Sequence, residues 1–348
     1  MHYSDLDRKF MRRALDLAYL GRFSAHPNPM VGCVIVKNSE IIGEGYHSRA
    51  GGEHAEIVAL RGCMNEAQGA TAYVTLEPCS HYGRRPPCAN ALIESGISEV
   101  VIACEDVNPL VNGRGRSLLE ENGIKVHSGL LSTDAKAINR GFEKRFLKKL
   151  PFVTLKIASS IDGKVALRNG LSQWITSPSS RRDVQKLRGS SSVILTSITT
   201  VERDDCRLNV RWDEIPDLPD SFNKESQPWR VIVDSNLRIR PHMKVLNAPG
   251  RTIVATVNTN GSLNNESEVW RMSSSGGRVN LRELLEKLAL EGANHVLVEA
   301  GATLSSAFIQ EKYLRGTFIQ SDFKKRLKVA LKMSKKDGET SRLNDKNN

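Results

Sequence analysis

The sequence is poor in aromatic residues, which make up 5% of its 348 positions. Proteins that bind single-stranded nucleic acids stack the bases on aromatic side chains. The scarcity therefore argues against that class, although the formal net charge is +11. Residues 321–348 hold nine Lys or Arg against four Asp or Glu, and so supply five of the eleven charges. Because lysine-rich terminal runs are usually only solvated, nucleic acid is not the expected partner.

The sequence also lacks an apolar run of the about 20 residues that a membrane-spanning helix needs. Its first residues mix both charges and do not resemble a signal peptide. The six cysteines are irregularly spaced and do not form the pattern of a disulfide framework. We therefore expect a cytoplasmic protein with reduced thiols and no membrane partner.

Two of the cysteines belong to a metal-binding pattern. A His-Ala-Glu motif occupies positions 54–56, and two Pro-Cys pairs follow at 78–79 and 87–88. One imidazole and two thiolates fill three positions of a tetrahedral Zn²⁺ and leave the fourth for a water molecule. Zinc deaminases also need a carboxylate that shuttles protons to the departing amine. The pattern predicts a zinc deaminase with ligands His54, Cys79 and Cys88 and the catalytic residue Glu56.

The interval between the two thiols is unusually long. Nucleobase deaminases commonly have Pro-Cys-x-x-Cys, whereas eight residues separate Cys79 from Cys88 here. The insertion contains a histidine and two arginines, which can bind a substrate phosphate or ring. A structural zinc site is the alternative interpretation, but a fourth protein ligand would close such a site and Glu56 would have no use in it.

The length favours two domains, and the apolar patterns favour an α/β fold in both. In the first half, a helix is predicted from Asp5 to Leu20, and strands at 31–36, 72–76 and 100–104 alternate with helices. This order is typical of a three-layer α/β domain. A basic stretch at 140–151 ends in proline and is interpreted as the connector. Beyond it, strands are predicted at 152–158, 193–196, 231–234, 252–255 and 295–299, with helices at 178–188 and 281–290.

The second half contains no Gly-x-Gly-x-x-Gly motif, so a Rossmann domain is not expected. Instead, both halves resemble the bifunctional deaminase and reductase family of riboflavin biosynthesis, as far as about residue 310. The first domain is similar at 26–29, 51–56 and the stretched element at 77–88. The second is similar at 155–164, 173–177 and 298–301.

The resemblance implies a cytidine-deaminase-like domain at 1–148 and a dihydrofolate-reductase-like domain at 149–315, with residues 316–348 left as a basic, atypical tail. It implies hydrolytic deamination of 2,5-diamino-6-(5-phosphoribosylamino)pyrimidin-4(3H)-one with Zn²⁺. Reduction of the ribosyl side chain to ribityl with NADPH then follows. The substrate is a small phosphorylated pyrimidine, and a homo-oligomer is expected.

The resemblance also implies which residues contact the ligands. The deaminase substrate is assigned to Asn28, His47, His81 and Arg84. NADPH is assigned to Ala158, Trp174, Thr200, Asp204, Ser235, Gly301, Ala302, Thr303 and Leu304. The reductase substrate is assigned to Ser172, Arg188, Leu208, Arg211 and Glu299.

The second half departs from the family at two places. Family members have Asp-Asp-Pro where this chain has Asp-Asp-Cys at 204–206. After a helix predicted at 303–314, the family continues into further strands, whereas this sequence predicts none and a truncated sheet. Two alternatives therefore stay open: a deaminase with a degenerate reductase domain, and a basic nucleic-acid-binding zinc protein.

Overall fold

Two β-sheets, one on each side of residue 150, organise the chain. The computed structural model describes residues 3–320 except 81–85, 110, 161, 166–174, 217, 219–221, 261, 264–266 and 315, and for 316–320 the backbone alone. Within these residues, no helix combines the length and the apolar character that a membrane crossing requires.

The first sheet has five strands in the order β2-β1-β3-β4-β5. Strand β1 is antiparallel to β2 and β3, while β3, β4 and β5 are parallel. The elements are α1 (Asp5–Leu20), β1 (Gly32–Lys37), β2 (Glu40–Tyr46), α2 (Ala55–Gly62), β3 (Thr71–Val74), α3 (Cys88–Glu94), β4 (Glu99–Ile102), α4 (Arg114–Glu121), β5 (Lys125–Ser128), α5 (Ser132–Ile138) and α6 (Arg140–Lys148).

Side chains along β1 point alternately to the two faces of the sheet, and helices pack on both faces to give the three layers of this domain. Cys33 and Ile35 pack into the core cluster that contains residues of α2, α3 and α4. Val34 and Val36 point to the opposite face and pack in the cluster of α1. Gly32 lets the helix approach closely, because a Cβ there would lie 1.9 Å from the carbonyl oxygen of Ala14. The predicted three-layer α/β domain is confirmed.

The second sheet has seven strands in the order β10-β9-β8-β7-β13-β6-β14, and every neighbouring pair is parallel. All its strands therefore end at the same edge. The elements are β6 (Phe152–Ala158), α7 (Pro178–Gly189), β7 (Val193–Ser197), α8 (Ile198–Asp204), β8 (Trp229–Val233), β9 (Thr252–Thr256), β10 (Glu268–Arg271), the short pair β11 (Ser274–Ser275) and β12 (Arg278–Val279), α9 (Leu281–Leu290), β13 (His295–Val298), α10 (Ala302–Gln310) and β14 (Gly316–Gln320).

The end of the second sheet differs from the prediction. No strand was expected after α10, yet β14 pairs with β6 from Gly316 opposite Thr154 to Gln320 opposite Ala158. The sequence Thr-Phe-Ile at 317–319 consists of residues that favour strands, but the run is short and a basic segment follows it. Residues 316–320, which were assigned to the tail, therefore belong to the sheet of the second domain.

The connector is also shorter than predicted. Residues 140–148 of the basic stretch form α6, and only residues 149–151 link it to β6. Phe142 and Phe146 lie one turn apart on this helix with ring centroids 4.8 Å apart. Phe142 is buried. The high density of basic residues hid this apolar face of the helix from the sequence interpretation.

Arg230 on β8 is a fully buried cation. Its guanidinium donates hydrogen bonds to the carbonyl oxygens of Ala248, Pro249 and Gly250 and to the hydroxyl of Thr252. Burial lowers the pKa of Arg230 to about 10. Carbonyl dipoles therefore stabilise this charge, and Arg230 in return fixes residues 248–250 just before β9.

Candidate active sites

The three predicted zinc ligands converge at one end of the first domain. His54 is the N-cap of α2, Cys79 follows β3, and Cys88 is the first residue of α3. The Nδ1 atom of His54 lies 3.1 Å from Sγ of Cys88 and 3.6 Å from Sγ of Cys79. All three donor atoms lie within 4.8 Å of one another, and no other such group of three His, Cys, Asp or Glu occurs in the described part of the chain.

The two thiols have different proton affinities. A hydrogen bond from Cys88 lowers the pKa of Cys79 to about 4, and the Cys88 backbone N–H also donates to the Cys79 sulfur at 3.3 Å. The hydrogen bond to Cys79 and burial together raise the pKa of Cys88. Two cysteine sulfurs, which bind zinc as thiolates, and one imidazole form the donor set that zinc prefers. The residues therefore fit a zinc ion.

Glu56 lies in the first turn of α2, beside these donors, and is 3% exposed. Burial, followed by the nearby Cys79, raises its pKa to about 7. Its Oε2 atom is buried without a hydrogen-bond partner. Since a buried unpaired polar atom is costly, this oxygen needs a polar partner from outside the protein, as a proton shuttle does.

Asn28 and His47 flank the donor group. The side-chain nitrogen of Asn28 lies 3.0 Å from Nε2 of His47, and Nδ1 of His47 lies 2.9 Å from the carbonyl oxygen of Glu53. The His47 and His54 rings meet edge to face at 5.4 Å. Burial lowers the pKa of His47, which favours a neutral imidazole. The predicted contacts His81 and Arg84 lie outside the described residues.

Glu77 is a site residue that the sequence interpretation missed. It is 4% exposed. Its carboxylate accepts backbone hydrogen bonds from Asp106 at 3.2 Å, Gly113 at 2.9 Å, Gly115 at 2.9 Å and Arg116 at 3.1 Å. It thereby holds the start of α4 against the segment that carries Cys79. An acidic residue directly before Pro-Cys, at the end of an apolar strand, was the available signal.

Replacing Glu77 with glutamine is expected to weaken both the fold and zinc retention. The amide nitrogen cannot accept, so about half of the four N–H groups lose their partner, at about 1–3 kcal/mol for each buried group. The matched control is Glu94→Gln, the same change at an exposed residue that ends α3. Thermal unfolding and zinc loss to a chelator measure both effects. Equal results for the two variants would contradict this role.

In the second domain, most of the described cofactor candidates lie at the common edge where the strands end. Ala158 ends β6, Thr200 lies in α8 after β7, and Ser235 follows β8. Gly301 follows β13 as the N-cap of α10, and its N–H donates to Thr200 Oγ1 at 3.3 Å. Asp204 ends α8 and is exposed. The first turn of α10 consists of Ala302, Thr303 and Leu304. The predicted cofactor residue Trp174 and the predicted substrate residue Ser172 lie outside the described residues.

The start of α10 has room for a ligand. A Cβ on Gly301 would meet only Thr200 Oγ1, at 4.0 Å, and Gly301, Ala302 and Thr303 are exposed. Helix N-termini bind phosphates through their free N–H groups. The residues at this edge therefore fit a phosphorylated dinucleotide such as NADPH.

A partly buried ion cluster of Lys156, Arg188 and Glu299 lies beside this edge. Arg188 donates to Glu299 through Nε at 2.6 Å and Nη2 at 3.1 Å. Lys156 Nζ lies 3.8 Å from Glu299 Oε2. Burial opposes ionisation of Glu299, but Arg188 and Lys156 outweigh it and lower the pKa. The contact of Lys156 with Glu299 was not predicted, although a lysine in the mainly apolar strand β6 is a signal that the sequence contains.

The other two predicted substrate residues lie on one irregular segment. Leu208 is buried with φ 51°, and Arg211 is half-exposed and pairs with Glu214. Between them, the carbonyl oxygen of Asn209 accepts from Arg188 Nη1 at 3.1 Å. Arg188 thus connects this segment to Glu299, so the described members of the predicted substrate set are near one another.

Residues 4–104 match the family described as the cytidine and deoxycytidylate deaminase zinc-binding region, and residues 151–314 match the RibD C-terminal domain. The chain is 46% identical to the riboflavin biosynthesis protein RibD of Escherichia coli over 87% of its own length and 84% of that protein. It is 39% identical to the RibD of Aquifex aeolicus, over 89% and 85%.

Solved structures agree with these matches. Acinetobacter baumannii RibD superposes with a TM-score of 0.83 at 43% identity, covering 91% of this chain and 86% of that one. The diaminohydroxyphosphoribosylaminopyrimidine deaminase/5-amino-6-(5-phosphoribosylamino)uracil reductase of Thermotoga maritima gives a TM-score of 0.79 at 35% identity, covering 89% and 85%. The chain therefore belongs to the RibD family and is a bifunctional enzyme of riboflavin biosynthesis, with a zinc-dependent deaminase domain followed by an NADPH-dependent reductase domain.

Proposed function

We propose that the chain removes the 2-amino group of 2,5-diamino-6-(5-phosphoribosylamino)pyrimidin-4(3H)-one and then reduces the ribosyl group of the product to ribityl. The observation that supports the first step is the unpartnered, buried oxygen of Glu56 beside three zinc-type donors. The double activity in the name of the Thermotoga maritima neighbour supports the order of the two steps.

In the deaminase site, His54, Cys79 and Cys88 would hold the zinc ion. Zinc, when bound, lowers the pKa of a coordinated water so that a nucleophile is available near neutral pH. Glu56 accepts a proton from the attacking water and delivers it to the departing amine. The water oxygen bonds to the ring carbon, the carbon–nitrogen bond breaks, and ammonia leaves. Asn28 and His47 orient the pyrimidine ring, and His81 and Arg84 complete the substrate contacts.

In the reductase site, the edge at which the strands end holds the cofactor. Ala158, Trp174, Thr200, Asp204 and Ser235 line it, and the amides at 301–304 bind its phosphates. NADPH supplies a hydride when it is bound. The substrate lies against the ion cluster, with contacts to Ser172, Arg188, Leu208, Arg211 and Glu299.

The proposal also covers the domain bounds, the cellular location and the self-association of the protein. The deaminase domain spans 1–148, and the reductase domain runs from 149 through β14. The protein acts in the cytoplasm, because all six cysteines are free and two of them must stay reduced to bind metal. It self-associates, since β10 and β14 are the outermost strands of the described reductase sheet.

A coupled assay separates this proposal from a deaminase with an inactive second domain. The purified chain is given the diaminopyrimidine substrate and NADPH, and ammonia release and NADPH absorbance are followed together. Ammonia with loss of NADPH supports both activities, and ammonia alone supports the degenerate alternative. The partly buried cluster of Lys156, Arg188 and Glu299 beside the cofactor edge favours the first result, because removing charges from water costs stability and a ligand-binding role would offset that cost.

Replacing Glu299 with glutamine is expected to lower reductase turnover while ammonia release continues. The change leaves Arg188 and Lys156 without a full counter-charge. Losing a charged hydrogen bond of about 1.5–3 kcal/mol corresponds to a reduction of about tenfold to a hundredfold. The control is Glu286→Gln, which removes only an exposed pair with Arg282. NADPH oxidation with the deaminated substrate measures the effect. An equal fall in both activities would point to general unfolding instead.

A further inference from the structure

One deaminase-domain side chain is embedded in the reductase domain. Phe23 ends the single 3-10 turn after α1 and is 3% exposed. Its ring lies 5.7 Å from Trp212 and 6.2 Å from Phe222, in edge-on geometry. The cluster around it also contains Val210 and Ile215, and all its members except Phe23 come from residues 210–222.

The reductase domain leaves space for the Phe23 ring at Gly189. Gly189 at the end of α7 leaves the space, because a Cβ there would lie 2.7 Å from the Trp212 ring and 3.2 Å from Phe23. Trp212 is also held in place by a hydrogen bond, which its indole N–H donates to the carbonyl oxygen of Ser226 at 2.8 Å. Phe23 therefore fills a site of defined shape and is not a loose surface contact.

Phe23 packs against the segment 208–212, which carries two of the proposed reductase substrate contacts, Leu208 and Arg211. Val210 and Trp212 point into the Phe23 cluster, while Arg211 between them stays half-exposed. No helix or strand includes residues 205–211. A few side-chain contacts hold this segment, among them Gln185, which accepts from the Arg211 N–H at 3.0 Å.

The turn that carries Phe23 is rigid on its own side. The carbonyl oxygen of Gly21 accepts from the N–H of Ala25 at 2.9 Å, and that of Ser24 accepts from the N–H of Ala50 at 3.3 Å. A few residues later, the Pro27 carbonyl oxygen accepts from Asn294 Nδ2 of the reductase domain at 3.0 Å. The backbone around Phe23 is therefore hydrogen-bonded within its own domain and, through Pro27, to the reductase domain.

We propose that Phe23 is a positioning residue for the reductase, which fixes the 208–212 segment from the neighbouring domain so that Arg211 and Leu208 meet the substrate. This inference rests on the proposed substrate contacts of the reductase. Removing the ring leaves a cavity behind a segment that no sheet or helix restrains, and the segment shifts into it. Substrate binding weakens, and the cofactor edge at β6, β7 and β13 keeps its geometry.

The test is Phe23→Ala in the full chain, assayed with the deaminated substrate and NADPH. We expect the KM for the substrate to rise about tenfold, with kcat and the KM for NADPH unchanged. The matched control is Phe10→Ala, which empties an equally buried site in the deaminase domain against Tyr73. NADPH-induced thermal stabilisation, read on both variants, reports the cofactor site without turnover.

If Phe23 only holds the domains together, Phe23→Ala and Phe10→Ala will have the same substrate KM, and the proposal is overturned. Should Phe23→Ala not fold, Phe23→Leu keeps most of the apolar volume and is expected to raise the KM about threefold; an unchanged KM there overturns the proposal as well. The variant Arg211→Ala distinguishes failure of the proposed substrate site from failure of the proposed role of Phe23. If it leaves the substrate KM unchanged, the proposed substrate site is wrong; if it raises the KM and Phe23→Ala does not, only the present inference fails.

Discussion

Replacing Glu56 with glutamine is expected to lower the rate of deamination by about 10³-fold, within the range of about 10² to 10⁴ that a positioned general acid–base contributes. The amide has nearly the shape of the carboxylate but cannot take up and return a proton. Since Glu56 is not one of the three converging donors, zinc is expected to stay bound. Ammonia release and the zinc content of the purified variant measure the two effects.

Two controls accompany this variant. Glu66→Gln makes the same chemical change at an exposed position after α2 and should leave the rate unchanged. The reductase activity of Glu56→Gln on the deaminated substrate should also be normal, because that site lies on the other sheet. Deamination at the wild-type rate would falsify the proposed proton transfer, and loss of zinc would show that Glu56 is a ligand.

Replacing Cys88 with alanine is expected to abolish zinc binding and, with it, detectable deamination. Only two donors then remain, Cys79 and His54, and a catalytic zinc site needs three. The start of α3 also loses its link to α2, so the unfolding temperature should fall, since metal binding is coupled to folding. Cys79→Ala should behave in the same way. Metal analysis and thermal unfolding with and without a chelator measure the effect.

The control for the cysteine variants is Cys63→Ala. This thiol is equally buried, but it donates to the carbonyl oxygen of Ala59 and lies outside the donor group. It should keep its zinc and lose only a little stability. Wild-type zinc content in Cys88→Ala would mean that the ligand assignment is wrong.

Elements with strong local signals could be predicted from the sequence to the residue. Helix α1 begins after Ser4, whose hydroxyl accepts from the N–H of Asp7, and its apolar stripe marks the buried face. Strand β6 and helix α9 also have their predicted bounds. In each case the capping residue lies next to the element or the apolar period lies within it, so no distant contact is needed to define the element.

Contacts between distant residues could not be predicted. The four N–H groups that Glu77 binds lie 29 to 39 positions later in the chain, and no local pattern connects them to it. Strand β14 is defined by its pairing with β6, more than 150 positions earlier. The proximity of Lys156 to Glu299 likewise depends on the pairing of β6 with β13, which the sequence did not specify.

The two candidate sites also differ in how far the sequence alone could predict them. The candidate zinc ligands and Glu56 were recognisable because the chemistry requires those residue types, and the three donor side chains converge in the fold. The reductase residues have no such signature, and their assignment came from the family resemblance. The parallel order of the second sheet explains their proximity, since residues that follow β6, β7, β8 and β13 meet at one edge.

The burial of Arg230 changes how the formal net charge of +11 should be understood. This guanidinium is enclosed by the carbonyl groups of one turn, and Arg188 is neutralised inside the protein by Glu299. Neither is free on the surface to pair with the backbone phosphates of a large polyanion and so release that polyanion's counterions, the effect that makes such binding sensitive to ionic strength. The attraction of this enzyme for RNA or DNA is therefore weaker than its isoelectric point suggests, and a basic sequence need not present an equally basic surface.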